Sequence, residues 1–172
     1  MELTLGCTTR PYVGLPFGEI CERIAAAGYT DVAVFGNVGV AYDSSPEQVR
    51  EVRKQVEDAG LLPSMWLPRL HLEVGLEEAW SRAQRIIDQA AALGATWLLT
   101  TGVSEPELYE DFVALMRRAA PYAEGAGVQI TLKPHGGISL TTDDLISIHG
   151  QVNHPAFGIC YDPGNIIYYT VG

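Results

Sequence analysis

No stretch of the chain approaches the ~20 consecutive apolar residues that a membrane-spanning helix requires, and a bilayer is not expected among its partners. Cysteine is scarce: Cys7, Cys21 and Cys160 are the only three, and none stands in a CxxC or zinc-ligand spacing. They read as reduced packing residues. Basic residues are few as well, 11 against 21 acidic, for a net charge of -10. A phosphate backbone needs clustered Lys and Arg, so nucleic acid is excluded and a small polar molecule is favoured. Met1-Glu2 runs straight into Leu3-Thr4-Leu5 with no secretory pattern, which places the protein in the cytoplasm as an expectation. No glycine-rich dinucleotide fingerprint follows this first apolar run.

What is present is one good-sized core, since 47% of the 172 residues are hydrophobic, and residues 1–172 read as a single domain. Helix-like stretches end in glycine at Ala27-Gly28-Tyr29, Ala59-Gly60-Leu61, Leu93-Gly94-Ala95 and Ala126-Gly127-Val128, each glycine suited to a left-handed helix terminus. Apolar runs follow at Val32 to Phe35, Leu61 to Leu67, Trp97 to Thr101 and Val128 to Leu132, with Leu3 to Cys7 before the first helix and Phe157 to Tyr161 last. The spacing of roughly thirty residues is that of a βα unit.

Between these runs the apolar period becomes helical, as in Val49, Val52, Val56, Ala59 and in Trp80, Ala83, Ile87, Ala90. Helix starts are expected at Ser45-Pro46-Glu47-Gln48, Ser104-Glu105-Pro106-Glu107 and Thr141-Thr142-Asp143-Asp144. Each connection is long enough for a helical crossover, so the sheet is parallel. In the fifth run Ile130, Leu132 and Pro134 alternate with Gln129, Thr131, Lys133 and His135. One polar face favours a barrel interior over a doubly wound sheet, whose strands are apolar on both faces. The fold class is therefore α/β, a parallel (β/α) TIM-barrel type with six of eight units present. The closed form takes eight units in roughly 250 residues, so the last two βα units are expected to be absent. A homo-oligomer or another partner would then cover the open edges.

Two polar signatures close the last two runs: Leu132-Lys133-Pro134-His135-Gly136-Gly137 and Tyr161-Asp162-Pro163-Gly164-Asn165. In a parallel barrel the strand C-termini converge on one site. At Thr131 to Gly137 and Tyr161 to Asn165 the chain resembles the xylose isomerase-like barrel superfamily, the sugar phosphate isomerase/epimerase group that also has an apurinic endonuclease branch. The resemblance implies a divalent metal (Mn, Mg, Zn or Co) held by a Glu ending strand five, an Asp ending strand six, a His and a further Glu from strands seven and eight. Asp162 matches the strand-six ligand. Lys133 stands where the strand-five Glu is expected, and an ammonium repels a cation.

Lys133 and Asp162 end neighbouring strands and are placed to form an ion pair. His135, on the same side as Lys133, is read as a proton-transfer or substrate residue, and Gly136-Gly137 as a tight path permitting close ligand approach. Asp162-Pro163-Gly164-Asn165 is also a sequence of turn formers. Arg10, Trp66, Arg69, His71 and Asn165 are assigned to substrate binding. Trp66 would wall a sugar face, and Arg10 or Arg69 would take an anionic group. Glu73 is a weaker acid-base candidate. His149 and His154 fall on the opposite end of the strands and, like Trp80 and Trp97, read as structural.

The function the resemblance implies is a sugar isomerase or epimerase acting on a small carbohydrate or polyol-derived substrate, by metal-assisted proton transfer through an enediolate. A Schiff-base role for Lys133 is opposed by Asp162, which would raise its pKa. The alternative from another class is a non-catalytic carbohydrate-binding or assembly subunit with a degenerate metal site. The endonuclease branch is disfavoured by the acidic balance.

Overall fold

Ser45 starts a helix because its hydroxyl accepts from the Gln48 backbone N–H while the Gln48 side chain accepts from the Ser45 N–H, and Thr141 and Asp144 form the same reciprocal cap. The computed structural model of the chain describes residues 4–36 and 38–171. It contains β1 (Gly6–Thr8), α1 (Phe17–Ala26), β2 (Asp31–Phe35), α2 (Pro46–Asp58), β3 (Leu62–Leu67), α3 (Leu76–Leu93) and β4 (Trp97–Thr100). There follow α4 (Tyr109–Gly125), β5 (Gln129–Leu132), α5 (Thr142–Val152), β6 (Phe157–Ile159) and α6 (Pro163–Val171). All neighbouring pairs are parallel, and the sheet order is β1-β2-β3-β4-β5-β6. A doubly wound sheet reverses its strand order at a switch point. Here the order simply advances, as it does around a barrel, so the structure is a partial parallel barrel.

One face of this sheet is packed by α1 to α5. Val49, Val52 and Val56 of α2 and Ala83, Ile87 and Ala90 of α3 are buried as their spacing predicts, and Ile130 and Leu132 of β5 turn to the same helical layer. Burial pushes the Cys21 thiol up to about 11, consistent with a packing role for that residue. The four glycines expected to end helices, Gly28, Gly60, Gly94 and Gly127, all have φ between +74° and +88°.

Three local expectations are corrected. β1 is Gly6–Thr8 rather than Leu3 to Cys7; Leu3 lies outside the described residues, and Leu5 is exposed. Ser104 caps nothing, because a 3-10 turn at Pro106–Leu108 intervenes before α4. Trp97, expected to pack, is 40% exposed at the start of β4. Asp162 to Asn165 is more than a turn: it opens α6, with Pro163 at the first helical position, where its missing N–H costs nothing. None of the α6 residues is buried; Ile167, Tyr168 and Val171 are exposed, as is Ile159 of β6. Among the described residues no helix is long and apolar enough to cross a membrane.

Candidate active site

The C-terminal ends of β1 to β5 converge on a cavity of 290 Å³ whose lining includes Arg10, Phe35, Arg69, Thr101, Lys133 and His135. Each side chain arrives from a different local device. Thr9 is fully buried, donates its N–H to the Ala33 carbonyl at 3.1 Å and accepts the Phe35 N–H on its hydroxyl at 3.0 Å. That fixes the 3-10 turn Arg10–Tyr12, and the Arg10 guanidinium lies over the Phe35 ring, 5.1 Å from its centroid. Lys133 extends the β5 ladder by donating its N–H to the Thr100 carbonyl at 2.8 Å.

The His135 loop is pinned to the loop after β4. Ser139, fully buried, donates its hydroxyl to the Thr101 carbonyl at 2.8 Å, its own carbonyl accepts the His135 N–H at 3.2 Å, and Ile138 donates to the Val103 carbonyl at 3.1 Å. Gly137 makes this path possible at φ +54°, because a Cβ there would stand 2.3 Å from the Val103 carbonyl oxygen.

Lys133 Nζ forms an ion pair with Asp162 Oδ2 at 3.2 Å, with both side chains largely shielded from solvent. Asp162 Oδ1 accepts the Asn165 N–H at 2.9 Å, which makes Asp162 the cap of α6 as well. Burial works to raise the Asp162 pKa, but the Asn165 N–H and the Lys133 ammonium outweigh it and hold the carboxyl below its ordinary range. The His135 pKa is lowered as well, here with desolvation as the largest cause. The Lys133 ammonium adds to this, with a smaller push from Arg10. Its imidazole is therefore neutral near pH 7 and free to accept a proton. Burial raises the Cys160 thiol beside this pair, so it stands as a thiol.

Of the residues read from sequence, Lys133, His135, Arg10 and Arg69 share the cavity. Trp66 does not: it has no exposed surface and packs in the core under the helices, so it cannot wall a sugar. The pleat sends Trp66 outward, and its neighbour Leu67 reaches the cavity instead. His71 lies in an adjoining cavity of 610 Å³ with Tyr42 and Arg69. Its Nδ1 is 3.0 Å from Glu73 Oε1, and its ring is tilted against Tyr42 at 5.1 Å. Glu73 is held below the ordinary carboxyl range by its own backbone N–H and by His71, so it remains ionised. Asn165 positions rather than touches: its side-chain amide donates to the Pro134 carbonyl at 2.7 Å, tying α6 to the loop that carries His135. His154 accepts the Ala156 N–H and His149 stacks on Phe157, both structural as read.

Sequence reading missed Tyr169, whose hydroxyl is 3.2 Å from His135 Nε2 with ring centroids 5.1 Å apart. The signal was its position four residues after Asn165, which puts both on one face of a helix.

A family model described as xylose isomerase-like TIM barrel matches residues 21–171. A 3-oxo-isoapionate decarboxylase from Pectobacterium atrosepticum is 25% identical over 126 residues, 72% of this chain and 42% of that protein. A 3-dehydroshikimate dehydratase from Pseudomonas putida is 28% identical over 153 residues, 84% of this chain and 24% of that protein. The chain thus spans less than half the length of either curated relative. A xylose isomerase-like barrel protein from Mycobacterium smegmatis, solved with magnesium, superposes with a TM-score of 0.74 at 21% identity, over 90% of this chain and 59% of the other. A D-psicose 3-epimerase solved in the presence of D-fructose gives 0.76 at 14% identity, over 91% and 62%.

Among the described residues no three His, Cys, Asp or Glu side chains gather as a ligand group. Asp162 is committed to an ammonium that would repel a divalent cation.

Proposed function

The chain belongs to the xylose isomerase-like TIM-barrel family, and on that premise we propose that it is an enzyme, a sugar isomerase or epimerase that moves a proton on the carbon next to a carbonyl of a small carbohydrate-derived substrate. The observation that carries this reading is an imidazole whose pKa is lowered and an ammonium lining one cavity at the strand C-termini. His135 removes the C–H proton. The electron pair moves toward the carbonyl oxygen, where the Lys133 ammonium stabilises the developing charge with the donors that Asp162 leaves free. Return of a proton to the opposite face of the same carbon completes an epimerisation; return to the former carbonyl carbon, with the hydroxyl proton passing to the other oxygen, completes an isomerisation. Asp162 holds the Lys133 side chain in place through their ion pair, and Tyr169 holds the imidazole.

The names of the relatives support the chemistry more than the substrate. Epimerisation, dehydration and decarboxylation of oxo compounds all build negative charge on a carbonyl oxygen. A decarboxylase, by its name, also acts on an acid, so the family's substrates are not confined to neutral sugars.

The test is proton NMR in D2O with a panel of ketoses, aldoses and their oxo acids. Exchange of the carbon-bound proton for deuterium, abolished in His135→Asn, is the expected result. Absence of exchange across the panel, or exchange undiminished in that variant, overturns the reading. A second reading, a carbohydrate-binding subunit, is favoured by the commitment of Asp162 to Lys133, and binding without exchange would select it.

A further inference from the structure

The cavity lined by Lys133 and His135 is basic in a chain that is otherwise acidic. Arg10, Arg69 and Lys133 enter its wall with His135, and no Asp or Glu is among the residues that line it, although the chain carries a net charge of -10. The Lys133 charge is balanced by Asp162. The two guanidinium groups are not balanced in the same way. Arg10 has no ion-pair partner among the described residues and rests on the face of Phe35. Arg69 reaches Glu73 only at 3.4 Å, with 73% of its own side chain in solvent. An arginine resting on an aromatic face has given up part of its freedom, so less is lost when it binds. The His135 pKa is lowered first by desolvation, and the charges of Lys133 and, less, Arg10 add to that.

The cations are also divided in space. Lys133 and His135 come from the end of β5, whereas Arg10 follows β1 and Arg69 follows β3. Phe35, at the end of β2 between those strands, lines the wall there. A substrate spanning 290 Å³ can place its reacting carbon at the β5 side and another group at the arginine side. Guanidinium forks bind planar carboxylates through paired, charge-assisted hydrogen bonds.

We propose that the substrate of this site is an acid, a small hydroxy- or oxo-carboxylate whose carboxylate is held by Arg10 and Arg69 while its carbonyl end lies against Lys133 and His135. The carbonyl end of this assignment rests on the proton-transfer reading above; the carboxylate end rests on the arginines.

The experiment is calorimetric titration of the full chain at low ionic strength with matched probes: D-gluconate against D-sorbitol, D-glucuronate against D-glucose, and inorganic phosphate. In at least one pair the acid binds at least about tenfold more tightly than its neutral match, and Arg10→Gln and Arg69→Gln each remove most of that preference, the loss expected for a charge-assisted hydrogen bond. Neutral partners binding as well as the acids in both pairs, a preference untouched by both variants, or phosphate binding more tightly than either acid overturns the proposal. The deuterium-exchange assay run on the same samples separates the two readings. Acid-selective binding without exchange leaves the carboxylate site standing and removes the proton-transfer function. Exchange on neutral sugars that persists in both arginine variants does the reverse.

Discussion

The ammonium of Lys133 stands 3.2 Å from one carboxylate oxygen of Asp162, and the other oxygen of that carboxylate caps α6 through the Asn165 N–H. One side chain therefore joins the end of β5 to the helix after β6. Asp162→Asn leaves the shielded ammonium without its counter-charge and is expected to cost about 1–3 kcal/mol, read as a lower urea midpoint. Because the folded pKa of Asp162 lies below its ordinary value, the wild-type contribution is present above the ordinary carboxyl range and fades as pH falls through the folded value. The variant should show a flatter acid limb in its stability curve.

His135 titrates below the ordinary histidine value because partial desolvation, then the Lys133 charge and to a smaller extent that of Arg10, disfavour its protonated form. Proton uptake by this group favours the unfolded chain, so its linkage lowers stability as pH falls below the ordinary value and has no effect above it. A rate that needs the neutral imidazole should rise with pH along a limb centred below that value. Tyr169→Ala opens the ring to water and is expected to move the midpoint upward, measured by NMR titration of the imidazole protons. An unmoved midpoint would show that Tyr169 does not shield it.

Gly137 sits at φ +54° with the Val103 carbonyl oxygen 2.3 Å and Ser104 Cα 2.6 Å from where a side chain would begin. Gly137→Ala should lower stability by about 1–3 kcal/mol through backbone strain and displace the His135 loop. Gly150, in α5 with nothing within 4 Å of an added Cβ, is the control. Gly150→Ala is expected to raise stability by roughly 0.5–1 kcal/mol, with thermal melts reading both.

Trp66 is fully buried under the helices. Trp66→Ala should cost about 3–5 kcal/mol, whereas Trp66→Phe should lower stability while leaving the affinity for whichever probe binds the cavity unchanged. A changed affinity at unchanged stability would return Trp66 to the site.

The sequence by itself determined the parts that are local. Reciprocal caps at Ser45 and Thr141, glycines at helix ends and a period that switches between strand and helix all act within a few residues, so they read directly as βα units and a parallel sheet. The alternation of β5 was legible for the same reason, and Ile130 and Leu132 do face the helices while Lys133 lines the cavity. Only the tertiary structure decided the rest. A strand with mixed residues on both faces, such as Leu62–Leu67, has no readable parity, and one step of the pleat sends Trp66 to the core and Leu67 to the cavity. The meeting of Arg10, Arg69, Lys133 and His135, and of Tyr169 with His135, joins segments far apart in the chain. Their distances are set by how strands pack side by side, and no local spacing encodes that.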